Sequence, residues 1–442
     1  MPQLELIEQV WEAGVVGAGG AGFPTWKKLA AKVDLVIANG AECEPLLRND
    51  QAVMALHAAD IVAGLRAAMR ATGAQRGVIA LKAHYRRAAA ALKKAVGKTK
   101  NLSLHFLPEV YPAGDEFVLV YEVTGRVIPA GGLPLQVGVV VSNVETFLNI
   151  ARAGRGLAVT HRHLTLTGAV RKPRTIRLPV GTSIAEALSA AGGADIEDWK
   201  VISGGPMMGS VVENLSDPVT KTTSSLIVLP RDHPAIVRKQ RDLTFDLRTI
   251  QSACCQCNYC TLVCPRALLG HNFKPHLVMR SLAMGLPPVS AVFSHASACC
   301  NCDLCGVYSC PMLLAVGRLN REVVGRMKEL GIKPAPQPEE PRPSPLRAQS
   351  LIPVSRLTSR LGLEIYDRPL PHDEREYAPE RVIIPLCQHI GQAARPTVKK
   401  GERVKAGQLI GDLPRDLMGA RVHASINGKV EKITPEAITI VA

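Results

Sequence analysis

Residues 15–26 read VVGAGGAGFPTW, and Gly17, Gly19 and Gly22 stand there in G-x-G-x-x-G spacing. Glycines so spaced let a tight turn bring its backbone N–H groups up to a phosphate at a helix start. The spacing alone is a weak signal, because an empty turn can use the same glycines. An NAD-type turn would run straight into a long helix and meet an acidic ribose ligand about 20 residues later. Here Phe23, Pro24 and Thr25 follow at once. Proline is tolerated at the first helical position, so a helix is expected to begin at Pro24.

The flanking sequence alternates two patterns. VDLVIANG (33–40), RGVIALK (76–82) and VGVVVSN (137–143) are short apolar runs that read as buried strands. Residues 51–73, ending in Gly73, and RRAAAALKKAVGK (86–98) have helical periodicity. This alternation predicts an α/β domain with a largely parallel sheet over residues 1–156. NGAECEPLLRND (39–50) directly follows a strand end, where open α/β sheets bind ligands. Asn39, Glu42 and Glu44 there are candidate contacts to a ring or ribose, with solvated loop charges the alternative for the two glutamates.

The chain has 442 residues, enough for roughly two to four domains. A hydrophobic content of 47% supports buried cores, and 4% aromatics argues against a base-stacking platform. The formal net charge of +15 suits anionic partners of any kind. Lys and Arg are dispersed and no nucleic-acid-binding motif is present, so no nucleic-acid partner is expected. No apolar run approaches the ~20 residues of a membrane span, and the N-terminus lacks a secretion-signal pattern. A cytoplasmic location is the expectation. LELIEQVWEAG (4–14) reads as the first helix of the α/β domain, with an encapsulation signal as the alternative.

Residues 157–235 form a small α+β module, in which KPRTIRLPVGTSIAEALSAAGG (172–193) is a strand, a capped helix and a Gly-Gly stop. Residues 244–330 carry two cysteine runs among helical segments. Residues 333–378 read as a linker, on the strength of the Pro-rich, charged KPAPQPEEPRPSPL (333–346). Residues 380–442 are short strands divided by Gly, Pro and Asn. In INGKV (426–430), Asn427-Gly428 predicts a type I′ hairpin.

Ten of the twelve cysteines fall in ACCQCNYCTLVCPRALL (253–269) and ACCNCDLCGVYSCPMLL (298–314), an internal repeat. Outside a secretory context such cysteines point to metal or redox chemistry. Three thiolates at i, i+3 and i+6 wrap one cubane, and a fourth, followed by Pro, ligates the other cluster. Two 4Fe-4S clusters are therefore expected. Cluster one takes Cys254, Cys257, Cys260 and Cys310, and cluster two takes Cys299, Cys302, Cys305 and Cys264. A structural zinc site prefers two separated C-x-x-C pairs and fits this pattern poorly. Cys255 and Cys300 are extra residues beside each set, and Cys43 and Cys387 read as packing residues.

GAGGAGFPTWKKL (17–29), ANGAECEPLL (38–47), YPAGDEFVLVYEVTGRVIPAGG (111–132) and SNVETF (142–147) together resemble the FMN- and NADH-binding subunit of respiratory complex I, and more closely the Rnf-complex C subunit. LTLTGAVRKPRTIRLPVGTSIAEAL (164–188) resembles the SLBB β-grasp domain of that family. The stretch from QHIGQAARPTVKKGERVKAGQLIGD (388–412) to VHASINGKV (422–430) resembles the Rnf C barrel-sandwich domain, which lies N-terminally there and C-terminally here. That order is similar to the cobalamin reductases of propanediol-utilisation microcompartments.

The resemblance implies a Rossmann-like FMN-binding fold, an SLBB module, a two-cluster ferredoxin-like helical domain and an all-β barrel-sandwich. It implies that Gly17, Gly19, Gly20, Gly22 and Lys28 hold the FMN phosphate. It puts Asn39 at the isoalloxazine or ribityl chain, Glu42, Glu44 and Glu116 along the flavin and nicotinamide site, and Asn143 at the edge of the flavin pocket. The chain departs from complex I at Ala18 and Ala41, where that protein has Arg and Asp.

The resemblance further implies an NADH-dependent cobalamin reductase. Hydride from NADH goes to FMN, and single electrons pass over both clusters to the cobalt of cobalamin, with no catalytic side chain beyond the cofactors. It also implies a microcompartment location, with a shell protein or an adenosyltransferase as neighbour. The alternatives are an Rnf-type protein moving electrons between NAD and ferredoxin, and a non-catalytic relay or shell adaptor. The cobalamin signature D-x-H-x-x-G is absent from the sequence.

Overall fold

The computed structural model describes residues 2–287, 291–334, 341–375 and 377–442. The first unit runs α1 (Pro2–Glu12), α2 (Thr25–Leu29), β1 (Leu35–Gly40), α3 (Asn49–Leu56), α4 (Ala58–Thr72), β2 (Arg76–Lys82), α5 (Arg86–Val96), β3 (Leu102–Leu107), β4 (Val110–Tyr111), α6 (Glu116–Thr124), β5 (Val139–Asn143) and α7 (Val144–Ala153). Its sheet has the order β3-β2-β1-β5, all parallel. Val36, Ile37 and Ala38 are fully buried, as strands covered by helices on both faces require. The connections leave β1 in one direction toward β2 and β3, while β5 lies on its other side. The topological switch point is therefore the crevice between the C-terminal ends of β1 and β5, where Asn39 pairs with Asn143 in register.

Three local expectations change. The periodic stretch after Arg48 is two helices bent by 91° at His57 rather than one, because His57 leaves helical geometry to cap both. No single described helix is long and apolar enough to cross a membrane, and this bent pair is built into the apolar core. Pro24 is the residue before the first turn of α2 rather than its first helical residue. α1 packs Ile7, Val10 and Trp11 into the same core, as the first helix of this unit.

The second unit comprises β6 (His161–Gly168), β7 (Arg174–Pro179), α8 (Ile184–Ala190), β8 (Trp199–Ser203), β9 (Ser210–Val211) and β10 (Ser225–Pro230). Ser183 and Glu186 form the capping box of α8, and Gly192 and Gly193 end the following turn with positive φ. Helices α9 (Pro234–Gln240), α10 (Leu243–Ala253), α11 (Tyr259–Leu262), α12 (Pro265–Leu268), α13 (Pro275–Ala283), α14 (Ala291–Ser294), α15 (Leu304–Val307) and α16 (Val316–Glu329) follow. Ile250, Phe273, Met279, Phe293 and Leu319 form a core beneath the cysteine turns.

The segment read as a linker is largely built in. It holds β11 (Ile352–Pro353), α17 (Val354–Arg360) and β12 (His372–Asp373). β11 pairs with β4, and β12 adds a parallel edge strand to β7, giving the six-strand order β12-β7-β6-β10-β8-β9. Ile352, Leu357, Leu361 and Leu363 are buried, and Arg48–Asp367, Arg174–Asp373 and Arg347–Glu122 ion pairs tie the segment down. The Pro-rich composition concealed these spaced apolar residues. Part of the Pro-rich run, residues 335–340, lies outside the described residues.

The last unit has β13 (Arg381–Pro385), β14 (Arg395–Pro396), β15 (Arg403–Val404), β16 (Leu409–Asp412), β17 (Val422–His423), β18 (Gly428–Ile433) and β19 (Ala437–Val441). They form sheets β13-β19-β18-β15 and β14-β16-β17. Asn427-Gly428 is therefore not a hairpin turn, since β17 and β18 belong to different sheets and neither residue has positive φ. Gly428 is required instead by close approach, because a Cβ there would lie 2.2 Å from the Val441 carbonyl oxygen. The apolar core of this unit is continuous with that of the first.

Candidate functional site

The glycine loop closes over the switch point. Gly17 N–H donates to the Phe23 carbonyl (2.9 Å) and Thr25 N–H to the Val15 carbonyl (3.2 Å), which pinches the loop at its base. Ala18 N–H donates to Thr146 Oγ1 (3.0 Å), fastening the loop to α7. Beyond that point Gly19, Gly20 and Ala21 are exposed, and the N–H groups of residues 19–22 meet no protein acceptor among the described residues. Gly20 has φ +113° and open space around its would-be Cβ. A Cβ on Gly19 would touch that of Asn143 at 3.4 Å, so the loop tip lies directly on the end of β5. Unspent backbone donors at a strand-end crevice form an anion cradle. Helix α2, with five residues, adds only a short turn behind it.

Four of the predicted side chains converge here. Lys28 Nζ donates to the Val141 carbonyl (2.8 Å), which among the described residues leaves two of its three donors unspent. Burial lowers its pKa, and the nearby Glu116 carboxylate counters that. Glu116 is itself pushed upward by burial and held back by Lys28. Asn39 donates through Nδ2 to the Gly114 carbonyl (2.8 Å), beside its register partner Asn143. Asn143 caps α7 by accepting from Glu145 N–H (2.8 Å) and donates to Asp50 Oδ2 (2.7 Å).

Glu42 and Glu44 point elsewhere. Glu42 accepts from the N–H groups of Asp50 (2.8 Å) and Gln51 (3.3 Å) at the start of α3. Glu44 accepts from the N–H groups of Met207 (2.9 Å) and Met208 (2.9 Å) in the β8–β9 turn. A Cβ on Gly205 would strike this carboxylate at 2.1 Å, so the turn is shaped around it. Both carboxylates are spent on backbone amides. Burial raises the pKa of each, and raises Asp50 further because Glu42 stands beside it.

Sequence reasoning missed Lys82, which adjoins these groups beside Cys43, the latter read as a packing residue and packed here against the core. Lys82 is buried at the end of β2 near Cys43 and Glu42, and burial pushes the Cys43 thiol up to about 11. The available signal was a lysine ending an apolar strand at the edge that binds ligands.

The cysteine turns repeat in the backbone as in the sequence. Gln256 and Asn258 have positive φ, and so do their counterparts Asn301 and Asp303. A cavity of about 30 Å³ is lined by Cys254, Cys255, Cys257, Cys260 and Cys310. Burial, with the charges of Cys257, Cys310 and Cys254, pushes the Cys260 thiol up to about 12. Cys264, Cys299, Cys302 and Cys305 are gathered likewise, and burial pushes Cys264 up to about 12. Crowded buried thiols lose their protons together only when a cationic group neutralises them, so the donor sets suit iron-sulfur clusters. Amide groups already aim at the sulfurs, with Asn301 N–H 3.4 Å from Cys299 Sγ and Leu314 N–H 3.4 Å from Cys310 Sγ. Cys255 is exposed, and Cys300 lies against Cys302.

Arg266, which the sequence pattern did not single out, joins the two regions. It follows Cys264-Pro265 and donates through Nε to the Ala298 carbonyl (3.1 Å), just before Cys299. Its guanidinium forks onto Asp115 at 2.5 and 3.0 Å, and it lies over the Phe117 ring at 3.8 Å. Asp115 caps α6 immediately before Glu116. One largely buried ion pair therefore lies between the switch-point crevice and the second cysteine set.

Family models match four segments: the Nuo51 FMN-binding domain over residues 10–152, the SLBB domain over 164–211, the 4Fe-4S dicluster domain over 253–315 and the RnfC barrel sandwich hybrid domain over 374–441. The cobalamin reductase PduS of Salmonella typhimurium is 44% identical over 99% of this chain and 96% of its own length. The C component of the Na(+)-translocating ferredoxin:NAD(+) oxidoreductase complex of Acetobacterium woodii is 40% identical over 61% of this chain and 59% of its own length. A chain of an NAD+-reducing [NiFe]-hydrogenase in the H2-reduced state superposes with a TM-score of 0.50 at 20% identity, over 77% of this chain and 64% of that one, a likeness of fold.

Proposed function

The chain belongs to the PduS cobalamin reductase family, and on that premise we propose that it carries electrons from NADH, through FMN and two 4Fe-4S clusters, to the cobalt of cobalamin. Its FMN-binding and 4Fe-4S dicluster domains supply the two kinds of redox group. FMN, when bound, converts a two-electron hydride into single electrons that the clusters can accept. The chain's own residues bind, space and insulate these groups. The unspent N–H groups of residues 19–22 and the free donors of Lys28 take the flavin phosphate. Asn39 and Asn143 orient the flavin at the ends of β1 and β5, and Glu116 lines the pocket beside Lys28. Glu42 and Glu44 act behind the site by fixing the start of α3 and the β8–β9 turn.

The observation that carries this reading is the placement of the crevice one ion pair, Asp115–Arg266, from the second cysteine set. Its test is to purify and reconstitute the chain anaerobically, measure flavin and iron, and follow NADH-driven reduction of cob(III)alamin and cob(II)alamin spectrally. Protein that retains no FMN refutes the flavoenzyme reading. Protein with FMN and clusters but no cobalamin turnover refutes the acceptor and points to the Rnf-type relay. A cytoplasmic microcompartment location, beside a shell protein or an adenosyltransferase, belongs to the same proposal and is tested by copurification.

A further inference from the structure

Away from the crevice, three parts of the chain bring imidazoles to one carboxylate. His57 stands at the bend between α3 and α4, His163 on β6, and His372 and Glu374 at and just after β12. Glu374 Oε1 lies 2.7 Å from His57 Nε2, 3.6 Å from His372 Nε2 and 3.8 Å from His163 Nε2. The ligating atoms of His57, His163 and Glu374 all fall within 4.8 Å of one another. A single carboxylate oxygen cannot satisfy three imidazoles. His163 is 1% exposed, yet among the described residues its Nε2 has no hydrogen-bond partner, and neither ring nitrogen of His372 has one.

The ring of His163 is also oriented from behind. Its Nδ1 meets Glu145 Oε1 at 2.8 Å, and Glu145 is fixed by the buried Arg162. Such a carboxylate–histidine pair turns the other ring nitrogen outward as a ligand and raises its basicity.

We propose that His57, His163 and Glu374 bind a divalent metal ion of the zinc class through two Nε2 atoms and one carboxylate oxygen, with His372 standing beside Glu374 at the rim of the site. Imidazole and carboxylate ligands without thiolate suit Zn²⁺ and set this centre apart from the sulfur-ligated clusters. Bound there, the ion staples the α3–α4 bend to the edge strand β12 and to β6. Through Glu145 and Arg162, which donates to the Ala18 carbonyl (2.8 Å), it also braces the base of the glycine loop. The proposal is independent of the electron-transfer reading.

The test uses the anaerobic holoprotein with its iron-sulfur clusters intact, so that the cluster cysteines are occupied. After equilibration with Zn²⁺ and gel filtration, elemental analysis should find a single zinc per chain with iron unchanged. Zinc-edge X-ray absorption should show nitrogen and oxygen at about 2.0 Å and no sulfur shell near about 2.3 Å. The paired variant His372→Ala/Glu374→Gln, on partly exposed positions, should lose zinc affinity at least tenfold while keeping its iron. Absence of bound zinc in the native protein, a sulfur shell, or full zinc retention in the variant overturns the proposal. Should the variant fail to fold, the native metal content and absorption spectrum still decide.

Discussion

Replacing Arg266 by Met should loosen the start of α6 by about a hundredfold. Removing one member of a buried, hydrogen-bonded ion pair costs about 3–5 kcal/mol. Asp115 would keep two donors, the N–H groups of Phe117 (3.2 Å) and Val118 (3.2 Å). Arg266→Met should therefore fall at the low end, about 3 kcal/mol. Each ~1.4 kcal/mol is tenfold, so amides of residues 116–124 should exchange roughly a hundredfold faster. Asp115→Ala should cost more. It leaves the guanidinium, among the described residues, hydrogen-bonded to the Ala298 carbonyl alone and lying over the Phe117 ring, and it removes a helix cap worth about 1 kcal/mol. The double variant should then be less damaged than the sum of the two by about 2–3 kcal/mol. Hydrogen exchange by mass spectrometry on the anaerobic holoprotein measures all three, with iron content as the control for intact clusters. Additivity within ~0.5 kcal/mol, or native-like exchange in Arg266→Met, would refute the claim that this pair couples the two regions.

Other expectations are equally direct. Lys221 is buried and donates to the Gly14 (2.7 Å) and Arg421 (3.0 Å) carbonyls, and burial lowers its pKa to about 7. The unfolded chain then binds more protons between pH about 7 and about 10, so stability rises with pH there, by up to about 1.4 kcal/mol per unit. Lys221→Met should flatten that rise in thermal-unfolding midpoints, and parallel curves for the two proteins would count against it. Gly22 has φ +65°, and a Cβ there would meet His389 Cα at 3.0 Å and the Gln388 carbonyl oxygen at 3.1 Å. Gly22→Ala should cost about 1–3 kcal/mol and release flavin, and an unchanged melting point with full flavin content would contradict this. Glu44→Gln should speed exchange in the β8–β9 turn by about tenfold or more, since one of two amides loses its acceptor. Cys254→Ser should abolish one cluster's EPR signal while Cys255→Ser, at an exposed position, preserves it, and the reverse result would shift the ligand register.

What could be read from sequence was what is local. Ligand spacing is set by a few consecutive backbone angles, so the repeated cysteine turns were legible with their positive-φ residues still unseen. The apolar strand runs ending at Asn39 and Asn143 were legible for the same reason, and the sheet then put those two residues side by side. Glu42 and Glu44 were placed in the right loop, but their directions depend on amides eight and some 160 residues away. Asn427-Gly428 carried a turn signal that tertiary crowding overrode, because Gly428 answers to Val441 rather than to a hairpin. The segment after residue 340 was misjudged by composition, since its few apolar residues find partners only once β4 and β7 exist. Arg266 had a faint signal, a fixed positive charge directly after Cys-Pro, whose meaning needs Asp115 in view.

The glycine loop rests on the far end of the chain. Ile390 N–H donates to the Gly22 carbonyl (3.3 Å), and Trp26, at the start of α2, donates to the Gly419 carbonyl (3.0 Å). During translation the loop leaves the ribosome more than 350 residues before either of these supports exists. The nascent N-terminal unit therefore lacks both supports until the barrel-sandwich strands have emerged and docked. On the proposed role of this loop, tight flavin uptake should await those strands, and a ribosome stalled before residue 380 should present an N-terminal unit that is folded in outline yet colourless.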